Sequence, residues 1–439
     1  MPSAIQVRSA RKNRCPSWPA ALQLATALAF GTSAAHAAII NVPGDQPTIQ
    51  AAITAAVNGD VIVVAAGAYS ENLQLNKSVT LQGPQAGVNA CGRVAAEAVV
   101  SAANPAVEAL QIIGLGAANA VIDGFTFRGT TTAFACIQSI GNATDGMRFL
   151  NNRVREFVTV GMYLNKGDIN GVINGNEFDG SSQVGSGSLI QLDGPDLFHG
   201  LQFTNNCLIN TPATGLSDIS TGHNWTASGG ASQPPAITGN TFNNCGTGAN
   251  IGAAAFNSTT DATATISNNV FKNSVFDGLQ GGPQNTTISG NTFQNNGRTG
   301  LALTSFSSTN ISRGAQNCTI TGNTFTGNVS EGIFYSAAQA AGTISTNIAN
   351  NNDFLGTTVA ARYAGTETIN VKCNWWNDIG GPNYLPNNTN AAGAQIVSPT
   401  VMQYVSWLNG PIATSPLCNQ PPPTGTARPT WGHLKAIYR

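Results

Sequence analysis

Asp145, Arg148, Arg153, Arg155, Glu156, Lys166, Asp168, Glu177, Asp179, Asp193, Asp196 and His199 put 12 titratable side chains into 55 residues, in a chain where only 9% of residues are charged. Such a set is what chemistry on an extended polymer needs. Hydrolysis of a glycosidic bond takes two carboxylates flanking the bond. Elimination takes a carboxylate-held cation beside a basic side chain. Asp168 follows Gly161 by seven residues and Asp193 follows Gly187 by six. If those glycines are equivalent, the two carboxylates occupy nearly one slot on neighbouring strands, about 4.8 Å apart. A pair that close raises one pKa or holds a cation. The candidate catalytic residues are therefore Asp145, Asp168, Asp193 and His199, with Arg148, Lys166 and Trp225 as candidate substrate contacts. Trp225, beside His223 and Asn224, would offer an aromatic platform to a sugar ring. No metal-ligand set is assigned, and no cofactor is expected unless the carboxylates recruit calcium. Solvated loop charges would leave the same pattern.

The elements that must position these residues are repeats. Thr319-Ile320-Thr321-Gly322-Asn323-Thr324-Phe325 recurs as Thr287 to Phe293 and as Ala236 to Phe242, with looser copies elsewhere. The anchoring asparagine falls at 152, 176, 206, 240, 269, 291, 323, 352 and 374, spaced 22 to 34 residues apart, with Phe125 in that slot at the start. A repeat of this length is one supersecondary unit stacked on its neighbours. Within it, Ile-x-x-Asn-x-Phe reads as a short strand entering a turn. The Asn tolerates left-handed dihedrals there, and the Phe returns to the core. A second apolar pulse opens on glycine: Gly161, Gly278, Gly300 and Gly332. Two or three short strands per unit, with no room for a helix, predict an all-β parallel β-helix of about 11–13 coils. Asparagines of successive coils are expected to stack as a hydrogen-bonded ladder.

Residues 1–37 read as a signal peptide. Arg8, Arg11, Lys12 and Arg14 precede an apolar run from Ala20 to Phe30 and a small-x-small site at Ala35-His36-Ala37. Its removal takes four of the 19 basic side chains and none of the 20 acidic ones, leaving an acidic excess of five. That excess excludes nucleic acid as the expected partner, and no later run is long enough for a transmembrane helix. The expected location is secreted, extracellular or cell-surface, where disulfides are allowed. Seven cysteines remain. Cys373 with Cys418 is the pair expected to pin the C-terminal segment, while Cys207, Cys245 and Cys318 fit buried small apolar positions.

Residues 38–60 are expected to cap the stack. Pro47-Thr48 starts a short helix with Ile49, Ala52, Ile53 and Ala56 on one face, covering strand edges that would otherwise invite aggregation. Val61–Ala65, Leu73–Leu75 and Val79–Leu81 read as strands, and Ala66 to Tyr69 as a turn. The β-helix is assigned to 61–408. Residues 409–429, rich in proline, form a stiff linker. The last ten, Thr430 to Arg439, resemble aromatic-basic tails that sort or attach exported bacterial proteins.

Thr48-Ile49-Gln50-Ala51-Ala52-Ile53, Gly59-Asp60-Val61-Ile62-Val63-Val64, Gly67-Ala68-Tyr69-Ser70-Glu71 and Val79-Thr80-Leu81-Gln82-Gly83 resemble the opening of the pectin lyase-like superfamily. The likeness is to secreted bacterial right-handed parallel β-helix proteins. Asn374-Trp375-Trp376 followed by Gly380-Gly381-Pro382 resembles their terminal element, so the resemblance spans roughly 40–408. It implies fold more than activity, since the superfamily includes lyases, hydrolases, esterases, epimerases and binding proteins. Asn142 to Gly146 and Phe198-His199-Gly200 resemble polygalacturonase-like hydrolase motifs. The chain lacks the family's Asp-Asp pair and Arg-x-Lys, and the pectin methylesterase motifs. Two functions follow as expectations: a surface or secreted β-helix that binds polysaccharide or cell-surface glycan, or a polysaccharide lyase or glycoside hydrolase working on the Asp145–His199 face.

Overall fold

The computed structural model describes residues 37–141, 145–164, 168–192, 200–218, 235–251, 264–307, 312–336, 346–365, 368–384, 388–389, 392–398, 402–414 and 416–418. Within them the chain winds through parallel strands. One sheet has 12 strands, from Ile39–Val42 and Val61–Val64 through Arg148–Leu150 to Ile348–Asn350. Every pairing in it is between successive coils and parallel, as in Thr287↔Thr319. A second, 23-stranded sheet holds the two other walls. One wall follows the asparagine turn, as in Val270–Lys272, Thr292–Gln294 and Thr324–Thr326. The other carries Leu279–Gly281, Thr299–Leu303, Glu331–Tyr335 and Val359–Tyr363. The fold is the expected parallel β-helix.

The asparagine ladder explains the phase of the repeat. Asn152, Asn176, Asn206, Asn240, Asn269, Asn291, Asn323, Asn352 and Asn374 are at most 1% exposed. At each step the backbone N–H of one donates to Oδ1 of the next, as from Asn269 to Asn291 and from Asn291 to Asn323, both at 2.9 Å. From Asn176 onward the Nδ2 also donates to that oxygen, as from Asn291 to Asn323 at 2.9 Å, and reaches a carbonyl such as Ile266 O. Phe125 takes the slot at the start, its N–H donating to Asn152 Oδ1. The left-handed residue is not the ladder asparagine but the one before it: Asn151, Gly175, Asn205, Gly239, Asn268, Gly290, Gly322, Asn351 and Cys373 all have positive φ. That position turns the corner, which is why Gly or Asn fills it in every copy but the last, where Cys373 stands. Beside the ladder, Phe242, Phe271, Phe293, Phe325, Phe354 and Trp376 stack at 4.7–5.1 Å with rings within 13° of parallel.

The cap helix spans Ile49–Ala55 and buries Ile49, Ala52 and Ile53. Thr48 Oγ1 accepts from Ala51 N, and the Glu71 carboxylate accepts from Ile49 N and Gln50 N. An anion therefore meets the helix's free amides. Two local expectations are corrected. Ile39–Val42 pairs with Val61–Val64, so the first sheet begins inside the segment assigned to the cap. Gly67–Ser70 is a strand rather than a turn, because Ala98–Ser101 of the next coil supplies its backbone partners.

Cys373 is bonded to Cys418, as expected, and Cys245 and Cys318 are free and buried. Cys207 is not a lone buried thiol: it is bonded to Cys91, 116 residues away. The loop carrying Cys91 lies across several coils. Ala90 N donates to Gly175 O, Gly92 N to Glu177 Oε2, and Arg93 Nη1 to Asn151 O.

Candidate functional site

The charged cluster singled out from the sequence does not assemble into one site among the described residues. Asp193, His199, Lys166 and Trp225 lie outside them. Arg148 is exposed on the first sheet, between Val121 and Val172. Asp145 is half-buried and anchors a turn, accepting from Ile169 N at 3.0 Å. Arg153 and Arg155 both bind Glu177, whose other oxygen takes Gly92 N. Those charges hold the Cys91 loop to the wall.

The outer-face position expected for Asp168 does not hold. The residue is fully buried, and its oxygens accept no hydrogen bond of ordinary geometry among the described residues. The supposed equivalence of the glycines also fails. Met162 pairs with Ile190, so Gly161 faces Leu189, and Gly187 falls two residues earlier in its coil. Burial drives the Asp168 pKa well above the ordinary carboxylate value, with Asp145 adding repulsion. The nearby amides of Gly146 and Met147 offset this only in part.

A different set of charges converges on the wall that follows the second turn. Leu279↔Leu301 and Thr299↔Glu331↔Val359 fix its register. Asp277, Thr299 and Glu331 therefore fall in one column on successive coils. Phe276, Arg298, Ser330 and Thr358 form the adjoining column, and Gln280, Ala302, Phe334 and Arg362 another. A short second ladder sets the turn before it. Ser274 N donates to Asn296 Oδ1, and Asn296 N and Nδ2 both donate to Asn328 Oδ1. Gly297 sits where a Cβ would lie 2.2 Å from Val275 O, so only glycine fits that close approach.

In this cluster the carboxylates lie beneath and the guanidiniums above. Asp277 is fully buried, while the Arg298 side chain is 52% exposed. Arg298 Nε donates to Asp277 Oδ1 at 2.8 Å and its Nη2 donates to Oδ2, a bidentate pair. Thr299 N also donates to Asp277 Oδ1. These bonds raise the Arg298 pKa above its ordinary value. On the next coils Glu331 accepts from Thr299 Oγ1 at 2.9 Å and from Arg362 Nε at 2.6 Å. Arg298 also lies 5.7 Å from the centre of the Phe276 ring, which is half exposed. Asp277, Arg298, Thr299, Glu331 and Arg362 line an open groove of about 430 Å³, which Phe276 meets through Arg298. Two arginines, each held by a carboxylate below it, keep their side chains partly exposed, and the first of them lies beside the half-exposed Phe276 ring. Such a surface can bind anionic groups and stack against a flat ring face.

Sequence density misses this groove because its charges are far apart along the chain and close only across coils. The signal is present all the same: Asp277, Thr299 and Glu331 each precede the glycine of the second pulse, Gly278, Gly300 and Gly332. Among the described residues no group of three or more His, Cys, Asp and Glu comes together to hold a metal ion. None of their helices is long and apolar enough to cross a membrane.

The family described as right handed beta helix region matches residues 224–375, which contain the whole groove. Solved structures with a similar course include the mannuronan C-5 epimerase A-module of Azotobacter vinelandii. It is 16% identical, over 81% of this chain and 94% of that one, with a TM-score of 0.41. The pectin methylesterase of Erwinia chrysanthemi is 12% identical over 66% and 90%, TM-score 0.36. The tailspike protein of E. coli bacteriophage HK620 is 16% identical over 80% and 64%, TM-score 0.39. No curated protein matches the chain in sequence. With its long parallel sheets and this matched region, the chain is a right-handed parallel β-helix.

Proposed function

We propose that this β-helix is a glycan-binding protein that takes an acidic polysaccharide along the Asp277–Arg362 groove. The carrying observation is the pair of arginines, two coils apart, each fixed by a carboxylate beneath it with its side chain partly exposed. Such arginines lose little side-chain freedom on binding a sugar carboxylate. Phe276 supplies the ring face that stacks against a pyranose. The carboxylates are less suited to hydrolysis. By strand spacing Asp277 and Glu331 stand about 9.6 Å apart, near the separation of an inverting pair, but both are consumed by the arginines and by Thr299.

Titration calorimetry with hexagalacturonate tests this. Arg298→Lys and Arg362→Lys keep the charge and lose the fork, so each should weaken binding about tenfold. Phe276→Ala, at an exposed position, should weaken it about as much with an unchanged melting temperature. Affinity is expected to be the same with calcium and with EDTA, and no reducing ends or unsaturated products should appear. Unaltered affinity in all three variants would rule the groove out. Product release lost on Asp277→Asn would make the protein an enzyme.

Export and surface attachment are proposed with it, on the basic and apolar residues 1–37 and the tail Thr430 to Arg439. Deleting residues 424–439 should leave the melting temperature unchanged and move the protein from the cell-associated to the culture-supernatant fraction. An unchanged distribution would remove the tail from the proposal.

A further inference from the structure

The groove does not end at Arg362. Ser330 and Thr358 are opposite each other across one strand spacing, by the Glu331↔Val359 register, and Thr358 also borders a second cleft of about 330 Å³ on the next coils. Its walls are Gly356, Thr357, Asn377, Asn383 and Gln395. Val359 pairs with Gln395, and Gln395 N donates to Thr358 O, so the cleft follows the same wall of the solenoid. The lining carries hydroxyls, side-chain amides and bare glycine backbone, and among its described residues no ionisable group. At Gly356 an added Cβ would meet nothing within 4 Å.

One atom here is unexplained. Thr357 is 3% exposed and its Oγ1 has no hydrogen-bond partner among the described residues. A buried hydroxyl left unpaired costs free energy that a ligand's hydroxyl would recover once the Thr357 side chain turns into the cleft. A neutral polyhydroxylated group fits this lining, because amides and hydroxyls offer donors and acceptors in equal measure and no charge to satisfy. An anion would find no cation here.

We infer that the cleft at Thr357 and Gln395 is a subsite for an uncharged sugar unit, directly adjoining the arginine groove, so that the ligand is a heteropolysaccharide with neutral units beside acidic ones. This rests on the arginine groove for its acidic half only. The cleft itself is argued from Thr357 and the uncharged lining.

The test is calorimetry on the full chain with three probes: hexagalacturonate, maltohexaose, and a hyaluronan hexasaccharide that alternates glucuronate with N-acetylglucosamine. Wild type should bind the mixed probe at least tenfold more tightly than hexagalacturonate. Thr357→Val and Gln395→Ala should each weaken the mixed probe about fivefold to tenfold and leave hexagalacturonate unchanged. Arg298→Lys should weaken both acidic probes. Thr357→Val removes a hydroxyl that has no partner among the described residues, so its melting temperature should not fall, and lost binding cannot be ascribed to unfolding. Equal affinity for the mixed and all-acidic probes, or mixed binding indifferent to both cleft variants, overturns the inference. Maltohexaose binding that falls on Thr357→Val and ignores Arg298→Lys would support the neutral subsite while refuting the arginine groove.

Discussion

Asn291→Leu is expected to destabilise the protein by about 3–5 kcal/mol, and Asn323→Leu by as much, from the cost of leaving buried polar groups unpaired. Asn291 has 1% of its surface exposed. Its Oδ1 accepts from both the N–H and the Nδ2 of Asn269, and its Nδ2 donates to Ile266 O and Asn323 Oδ1. Leucine matches its branching but ends in methyls. The Asn269 amide and the Ile266 carbonyl then lose partners at a site water cannot reach, each orphan costing about 1–3 kcal/mol. Since stacked repeats are held by interfaces between neighbours, the loss falls on the interfaces flanking one coil and should also broaden the unfolding transition. Differential scanning calorimetry and urea titration measure both. Unchanged melting temperatures in both variants would mean that the ladder contributes nothing to stacking.

How much of this is legible in the sequence depends on which direction carries the information. The ladder is readable because Ile, Asn and Phe recur in fixed phase within each repeat, and local patterning suffices to place them. The corner residue lies one position from where the motif suggests: left-handed backbone belongs to Asn268 and Gly290, not to Asn269 and Asn291. The pattern does hold this detail, since the position before each anchor is Gly or Asn in nearly every copy. Gly67–Ser70 looks like a turn because the small residues Gly67 and Ala68 precede Tyr69. It is extended because Ala98–Ser101 offers it a ladder, a partner that no window around residue 67 contains.

The site is hidden for a related reason. Coils differ in length by up to 12 residues, the gaps ranging from 22 to 34, so equal spacing along the chain does not mean equal position around the coil. Counting charges along the chain favours residues 145–199, where Arg153, Arg155 and Glu177 hold the Cys91 loop. Aligning coils on the second-pulse glycine brings Asp277, Thr299 and Glu331 into one column. It does not show that Cys91 reaches Cys207, since that contact depends on how residues 84–97 lie across several coils.

Asp168 gives the second large effect, and its sign follows from burial. The side chain is fully enclosed, its oxygens accept no well-formed hydrogen bond from a described residue, and Asp145 repels its negative form. The folded protein therefore holds the Asp168 proton more tightly than the unfolded chain does. Above the unfolded value of about 3.9 the unfolded chain has released a proton that the fold retains. Unfolding then gains from each rise in pH, so stability falls as pH climbs from about 4 toward the raised folded value, and is level beyond it. An asparagine in its place would be neutral at every pH and nearly the same shape. The variant Asp168→Asn should match wild type near pH 4 and become progressively more stable than it towards pH 8, by about 1.4 kcal/mol for each unit by which the fold raises the pKa. Urea midpoints at pH 4, 6 and 8 measure the gap. Parallel profiles, or a wild type that gains on the variant as pH rises, would show that a cation or a basic side chain neutralises Asp168 in the folded state.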